Sequence, residues 1–315
     1  MSEFWDPECL MFRPLYMERV WGGKKMSTLF RRQIPTDNPI GESWELVDRA
    51  DAQSIVSEGR FSGLSLNELW KKRRSEIFGA GYDYERFPLL IKIIDASDAL
   101  SVQVHPPAGA ATGVFDEPKT ELWYFVATDE GAGVYVGLKS GTCKEDFQSA
   151  LTNGTVERLL HRISTRADSF MFLPGGRLHA IDGGNVLFEV QQNSDTTYRV
   201  FDWNRVGLDG KPRQLHIEQS LHCIDFTDIE PALSECNSER LVAEKYFIVD
   251  RWVLDQPRPA NIKPLFSIFQ VVQGVVLFDN RLEFRYGDLF MVPAYCHGAL
   301  VGPKNERAIV LRTTL

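Results

Sequence analysis

The chain has 315 residues, of which 43% are apolar and 25% charged, and its formal net charge at pH 7 is −8. This composition predicts a soluble globular protein with one large domain or two of moderate size. The basic residues are scattered, so we expect no nucleic-acid partner. The sequence contains no uninterrupted run of 18 apolar residues, so we expect no transmembrane helix. The opening MSEFWDPECLMF does not resemble a signal peptide. Five widely spaced cysteines favour free thiols in a reducing compartment, so we expect the cytoplasm.

Short apolar runs dominate the chain, among them LLIKIID, LWYFVA, NVLFEVQQ and FSIFQVVQGVVLF. They are rich in Val, Ile, Phe, Tyr and Trp and are separated by turn residues, which predicts an antiparallel barrel or sandwich. Residues 65–78 are expected to form a helix, with Ser65 as its N-cap and Glu68 completing a capping box. Residues 144–163 are predicted to form one or two further helices, broken at Asn153-Gly154.

The polar segment DIEPALSECNSE, residues 228–239, is the best candidate for a domain boundary. We therefore expect a larger first domain, residues 1–235, with helical insertions, and a C-terminal β domain, residues 240–315. The sequence GDLFMVPAYCH in the second part resembles DSFMFLPGGRLH in the first, since each runs from a strand through a proline to a histidine. This likeness predicts a weak internal duplication of a small β-barrel.

Polar side chains alternate with valines in SVQVHPP, which reads as a strand. Gln103 and His105 therefore share one face, and so do Lys119 and Glu121 in EPKTELWYFV. His179 follows a Pro-Gly-Gly turn that can bring its ring over a barrel mouth. Each histidine alone is more often structural, but the joint spacing favours a metal site. Two His, one Glu and a Gln oxygen suit Zn²⁺ with one position left open.

The segment EVQQNSDTTYRVFDWNR, residues 189–205, brings further polar groups in a strand-like frame. Arg199 is a fixed cation that suits an enediolate or a phosphate. The alternative is an ordinary salt bridge between Arg199 and Asp202 or Asp195. Both interpretations remain open at the level of the residues alone.

The remaining histidines are expected to be structural. His161, His216 and His222 have helix or loop contexts without a paired acid. His297 matches His179 in the second copy, but no QxH or KxE pair precedes it. We therefore expect residues 246–315 to form a metal-free second barrel that contributes stability.

Four motifs in this order, SVQVHPP, PKTELWYF, LPGGRLHAI and EVQQNSDTTYRVFDW, resemble the class I mannose-6-phosphate isomerases (phosphomannose isomerases) in their short bacterial form. ERVWGGKKMSTLF and IGESWELVDRADAQS resemble the opening of that form. The resemblance runs from about Glu18 to Trp203 and more faintly to the end. It implies a mainly β cupin fold (a double-stranded β-helix or jelly-roll barrel) with a small helical insertion and a second cupin-like C-terminal barrel. It also implies one Zn²⁺ per chain and interconversion of mannose 6-phosphate and fructose 6-phosphate through a cis-enediol, a step of carbohydrate metabolism.

The resemblance also assigns site residues. It implies that the metal ligands are Gln103, His105, Glu121 and His179. Arg199 matches the family's active-site arginine, Lys119 and Asp195 match polar active-site positions, and Ser101 corresponds to a residue near the substrate phosphate. For the proton shuttle we expect Lys119, with Asp195 as the alternative. Ser101, Lys119 and Arg199 are the expected substrate-binding residues.

Two positions depart from the family's pattern. Pro107-Ala108 stand where acids or polar residues are common, which predicts a differently shaped loop after His105 and affects substrate preference. Asp168 stands at the cupin glycine. Neither change removes a ligand.

Two other functional classes stay open. A non-catalytic sugar-phosphate-binding cupin should have lost a ligand, Lys119 or Arg199, and this chain keeps them all. An iron-dependent cupin oxygenase usually has a His-rich set, whereas here Gln103 takes the place of a first histidine. The expected partner is a small sugar phosphate, and the expected state is a monomer or weak homodimer.

Overall fold

A computed structural model describes residues 8–109 and 117–315. The second helix is capped as predicted: the Ser65 hydroxyl accepts a hydrogen bond from the Glu68 backbone N–H at 3.1 Å, and the Glu68 carboxylate accepts one from the Ser65 N–H at 3.1 Å. Leu69 and Trp70 on this helix are fully buried. The helices are α1 Lys25–Leu29, α2 Leu66–Ile77, α3 Lys144–Asn153 and α4 Ile217–Cys223.

The prediction of helix throughout residues 144–163 is wrong in its second half. The third helix ends at Asn153, and Gly154 follows with φ of 65°, a left-handed conformation that glycine adopts without strain. A 3₁₀ turn at Val156–Leu159 leads into a strand, Leu160–Ser164. The LHRIS alternation pairs with a neighbouring strand there, so His161 lies on a strand and not in a helix or loop.

Twelve strands before residue 236 form two antiparallel sheets in the described part of the chain. The larger has the order β1-β2-β3-β10-β5-β8-β12 and the smaller β11-β4-β9-β6-β7. Apolar side chains from both sheets, Trp123 and Phe125 from one and Val136 and Ile181 from the other, form one buried cluster. The strands are β1 Leu15–Gly23, β2 Ile40–Leu46, β3 Leu89–Ala96, β4 Val102–Val104, β5 Glu121–Thr128, β6 Gly133–Leu138, β7 Leu160–Ser164, β8 Ser169–Leu173, β9 His179–Ile181, β10 Asn185–Gln192, β11 Tyr198–Phe201 and β12 Ser234–Glu235.

The later strands form two further antiparallel sheets, in the orders β13-β14-β21-β16-β19 and β15-β20-β17-β18. Trp252, Phe269 and Phe290 belong to their shared apolar cluster. The strands are β13 Arg240–Ala243, β14 Ile248–Leu254, β15 Arg258–Pro259, β16 Ser267–Gln273, β17 Val275–Phe278, β18 Leu282–Arg285, β19 Leu289–Val292, β20 Leu300–Pro303 and β21 Ala308–Thr314.

The largest apolar cluster joins the two parts of the chain. The Phe266 ring lies 5.4 Å from the ring of Phe78 and 5.7 Å from that of Phe87, measured between centroids. The prediction of a mainly β, cupin-type fold is confirmed. The division into domains at residues 235–240 stays a prediction, because the apolar core continues across it.

Asp168, which stands at the position of the cupin glycine, connects the two pairs of sheets. This residue adopts φ of 62°, the left-handed conformation that favours glycine. Its carboxylate accepts two hydrogen bonds of 2.7 Å from Arg251, and it also contacts the Tyr124 hydroxyl. The aspartate thus ties the first pair of sheets to the second.

Two expectations from composition can be compared with the structure. Within residues 8–109 and 117–315, every helix is too short or too polar to cross a lipid bilayer. All five cysteines are free thiols.

Candidate metal centre and active site

Strand register places three polar residues in one row across the smaller sheet. Gln103 on β4 pairs directly with His179 on β9 and with Arg199 on β11. Directly paired residues of antiparallel strands project to the same face. The neighbouring Val102 and Val104 point the other way into an apolar cluster. Alternation along β4 and the register of its neighbours together place Gln103, His179 and Arg199 on one side of the sheet.

Three potential ligands come together beside this row. The nearest ligand atoms of His105, Glu121 and His179 all lie within 4.8 Å of one another. Each histidine Nε2 is 3.5 Å from a Glu121 carboxylate oxygen. Two ligands held at about 2.0–2.2 Å from one tetrahedral ion are themselves about 3.4 Å apart. The three residues are buried, and their spacing fits one metal ion.

Hydrogen bonds at the far edge of each ring set the histidine tautomers. His105 Nδ1 lies 2.9 Å from the carbonyl oxygen of Thr196, and His179 Nδ1 lies 2.8 Å from that of Arg177. A carbonyl only accepts, so each Nδ1 carries the proton and each Nε2 presents a lone pair. Both Nε2 atoms and Glu121 Oε1 are buried without a hydrogen-bond partner among the described residues. These orphaned acceptors are what a cation would satisfy.

The protonation states also suit a metal. Burial, with help from the Lys119 ammonium, lowers the pKa of His105 to about 4, and burial lowers the pKa of His179. Burial alone would raise the pKa of Glu121, but Lys119, whose Nζ lies 3.1 Å from Glu121 Oε2, and the two histidines hold it well below its usual range. At neutral pH the group therefore offers two neutral imidazoles and a carboxylate, the forms that bind metal.

The other predicted site residues line one cavity of about 570 Å³. Its wall includes Ser101, Gln103, Lys119, Asp195 and Arg199. Gln103 is partly buried and stands beside His179 in the strand row, so its side chain reaches the same space. Its role as a fourth ligand stays a prediction, as do the roles of the other four.

Arg199 is not held in the salt bridge that was its alternative interpretation. Its Nε donates to the Ser101 hydroxyl at 3.3 Å and its Nη1 donates to the carbonyl of Gln214 at 2.9 Å. Within the described residues it forms no ion pair with Asp202 or Asp195. The guanidinium is therefore available to an anion in the cavity.

A buried ion pair in the cavity wall was missed by the sequence analysis. Lys92 Nζ lies 3.0 Å from Glu189 Oε2, and the Trp123 indole N–H donates to Glu189 Oε1 at 3.0 Å. Burial alone would lower the pKa of Lys92, but Glu189 and Glu42 raise it above its ordinary value. The Trp123 ring packs 5.3 Å from the His179 ring. The available signal was a lysine between the isoleucines of LLIKIID and a glutamate between the apolar residues of NVLFEV.

A second missed feature lies outside the cavity, where two site loops meet. The Glu117 carboxylate binds both Arg49, at 2.9 Å, and Arg86. Both arginines also donate to the carbonyl of Asn193, and the Ser194 hydroxyl donates to the Glu117 carbonyl at 3.0 Å. This cluster ties the segment before Lys119 to the segment before Asp195. The predicted reshaping of the loop after Pro107-Ala108 concerns residues 110–116, which lie outside the described part.

The fold and the site together define a cupin-type protein with a buried His₂Glu metal-binding group beside a polar cavity. A sequence model described as "Phosphomannose isomerase type I, catalytic domain" matches residues 10–129. The mannose-6-phosphate isomerase ManA of Bacillus subtilis is 33% identical over 299 residues, which cover 91% of this chain and 93% of that protein. The mannose-6-phosphate isomerase of Streptococcus mutans is 37% identical over 298 residues, covering 90% and 93%. The chain belongs to the type I phosphomannose isomerase family.

Solved structures give the same result for the fold. The mannose 6-phosphate isomerase from Bacillus subtilis superposes with a TM-score of 0.86 at 28% identity, covering 98% of this chain and 99% of that one. A mannose 6-phosphate isomerase described as bound with zinc and yttrium has a TM-score of 0.73 at 16% identity, covering 97% and 99%. At that identity the second likeness concerns the fold alone.

Proposed function

We propose that this protein is a zinc-dependent isomerase that interconverts mannose 6-phosphate and fructose 6-phosphate. The observation that carries the proposal is the buried group of His105, Glu121 and His179, in metal-binding protonation states, beside a cavity lined by Lys119 and Arg199. Relatives named mannose-6-phosphate isomerase match nine-tenths of the chain. That match favours a catalytic isomerase over a non-catalytic sugar-phosphate-binding cupin.

The proposed cofactor is one Zn²⁺ per chain, held by His105, Glu121 and His179 with Gln103 as the fourth ligand. The donor set supports zinc, because imidazole and carboxylate ligands are typical of catalytic zinc sites. It departs from the His-rich set of the iron oxygenase alternative. When bound, zinc supplies a Lewis acid that polarises the sugar oxygens.

The reaction moves a proton between C1 and C2 through a cis-enediol, which requires a general base beside the sugar. Lys119 is our first choice because its side chain is buried at the cavity and its Nζ lies 3.1 Å from the proposed ligand Glu121. Asp195, which lines the same cavity, is the alternative. Either residue would take the proton from one carbon and return it to the other. Lys119 would do so as the free amine, the form that a cation bound by Glu121 would favour over the ammonium.

Arg199 is proposed to stabilise the negative charge that develops on the enediolate, since a preorganised cation lowers the barrier to its formation. Ser101 accepts a hydrogen bond from Arg199 Nε at 3.3 Å and so helps to set the direction of the guanidinium. Ser101 also lines the cavity, where its hydroxyl can contact the substrate.

The decisive experiment is a coupled assay that follows fructose 6-phosphate formation from mannose 6-phosphate. We expect turnover by the purified protein, loss of turnover after treatment with a chelator, and recovery when Zn²⁺ is restored. Absence of turnover in protein that carries zinc would contradict the proposed function.

The partner, the oligomeric state, the compartment and the domain division remain proposals with this function. The sugar phosphate is the small-molecule partner, and the protein acts as a monomer or weak homodimer in the cytoplasm. Residues 1–235 form the catalytic domain, and residues 240–315 form a metal-free C-terminal domain.

A further inference from the structure

The cavity has a second end, remote from the three proposed metal ligands His105, Glu121 and His179. Arg199 and His179 are separated by one strand, and neighbouring strands lie about 4.8 Å apart, so their backbones are about 10 Å apart across the sheet. Arg213 and His216, in the segment after β11, line the cavity close to Arg199.

Arg199 lies close to Arg213 and Arg205 at this end. The Asp202 carboxylate accepts from Arg213 Nε at 2.7 Å and from Arg205 Nε at 3.1 Å. Arg205 also pairs with Asp98, whereas Arg199 forms no ion pair among the described residues. Burial, followed by the charge of Arg213, lowers the pKa of Arg199. Clustered cations at a cavity wall are relieved by an anion.

The neighbouring histidine is oriented as a hydrogen-bond donor. The backbone N–H of Arg199 donates to His216 Nδ1 at 3.2 Å. His216 Nδ1 therefore carries the lone pair, and Nε2 carries the proton. Arg213 uses Nε and Nη2 on Asp202, which leaves the hydrogens of Nη1 for another acceptor.

We propose that Arg213 and His216 hold the phosphate group of the substrate, while Arg199 and the proposed metal centre face its reacting end. This inference rests on the proposed function. A phosphate dianion offers several acceptor oxygens, which suit the guanidinium group of Arg213 and the imidazole N–H of His216. Asp202 acts as a positioning residue, because its carboxylate holds the guanidinium group of Arg213 in one orientation.

Arg213→Met and Arg205→Met form a matched pair for the test. Both remove an ion pair with Asp202, but of the two arginines only Arg213 lines the cavity. Binding of mannose 6-phosphate, mannose and inorganic phosphate is measured by calorimetry on zinc-loaded protein, beside steady-state kinetics. We expect Arg213→Met to weaken binding of mannose 6-phosphate by about 10–100-fold, the effect of losing a charge-assisted hydrogen bond.

The pattern across ligands and variants carries the inference. Arg213→Met should raise KM far more than it lowers kcat and should leave mannose binding unchanged. Arg213→Lys should bind mannose 6-phosphate more tightly than Arg213→Met but less tightly than the wild type. Lysine keeps the positive charge but lacks the several N–H donors of a planar guanidinium group. His216→Phe should weaken phosphate binding by about 10-fold, the effect of one hydrogen bond. Arg205→Met should stay within about twofold of the wild type.

Two results would overturn the assignment: unchanged phosphate affinity in folded Arg213→Met, or an equal loss of affinity for mannose. The proposed function fails separately. If the zinc-loaded wild type bound mannose 6-phosphate without converting it, the isomerase proposal would be wrong. Selective loss of that binding in Arg213→Met would then still support the phosphate site.

Discussion

The two pairs of sheets can be compared position by position through their strand registers. In the first pair, Glu121 on β5 lies opposite Leu173, which precedes a proline. In the second pair, Ser267 on β16 lies opposite Val292, which also precedes a proline. The proposed metal ligand Glu121 therefore corresponds to a serine.

Two residues further along β5 and β16 stand Trp123 and Phe269. In each pair of sheets, the residues that lie opposite this position on the next two strands form a buried ion pair. In the first it is Lys92 with Glu189, 3.0 Å apart, and in the second it is Asp250 with Arg312, 3.3 Å apart. Lys92 corresponds to Asp250 and Glu189 to Arg312, so the pair is kept and its signs are reversed.

The buried ion pair belongs to the scaffold that both pairs of sheets share, whereas the metal ligands belong to the chemistry of the first pair alone. A buried ion pair is satisfied by either order of charges, since its stability depends on mutual pairing. A metal site requires particular ligand atoms at the strand ends. His297, which the sequence aligns with His179, is exposed on a loop, and a serine replaces the carboxylate. Within residues 240–315, all of which the structure describes, the second pair of sheets thus keeps the architecture without a counterpart of the three-residue ligand group.

The largest expected effect tests the metal side of this contrast. The double variant His105→Ala/His179→Ala should lose zinc and should lose activity by more than the roughly 100-fold that removal of an outer-shell partner costs. His297→Ala, its counterpart in the second pair of sheets, should keep zinc and activity. Metal analysis of the purified proteins and the coupled assay measure both. Full zinc occupancy in the double variant would rule out the ligand assignment.

A large effect on turnover alone is expected from Lys119. Lys119→Ala should keep zinc but lose about 10²–10⁴-fold in kcat, the usual contribution of a general acid–base group. Asp195→Asn is the matched variant, and the larger kcat loss identifies the proton shuttle. Normal turnover in Lys119→Ala would exclude Lys119.

The two buried ion pairs, Lys92–Glu189 and Asp250–Arg312, can be tested for their contribution to stability. Lys92→Met leaves Glu189 buried without its cation and should lower the free energy of unfolding by about 3–5 kcal/mol. Arg312→Met should cost less, because Arg240 also pairs with Asp250. Denaturant unfolding gives both values. Only Lys92→Met should change the isomerase kinetics, since Lys92 lines the cavity; equal kinetic losses in both variants would contradict the separation of roles.

The strands and the capping box at Ser65 could be predicted from sequence, because alternation and capping are local properties. The convergence of His105, Glu121 and His179 is long-range, and it was predicted through the resemblance of four ordered motifs to a known family. The strand at residues 160–164 was missed because its short alternation gains stability only from pairing with β6. The Lys92–Glu189 pair was hidden for a similar reason. Which charges meet across neighbouring strands depends on register, and the chain sequence does not state the register.

The smallest effect concerns Gln103, and it bears on why the first pair of sheets uses a carboxamide. Gln103→Glu should bind zinc at least as tightly as the wild type, because a carboxylate attracts the cation more strongly. It should nevertheless turn over roughly 10-fold more slowly, since a second carboxylate removes positive charge that stabilises the enediolate.

Gln103→Leu distinguishes a ligand from a mere neighbour on β4. Leucine is nearly isosteric with glutamine but has no oxygen donor, so this variant should release zinc at a lower chelator concentration than the wild type. Metal retention across a chelator series, followed by the coupled assay, measures both variants. If Gln103→Leu held zinc like the wild type, Gln103 would only line the cavity. The row that joins it to His179 and Arg199 would then serve the substrate and not the metal.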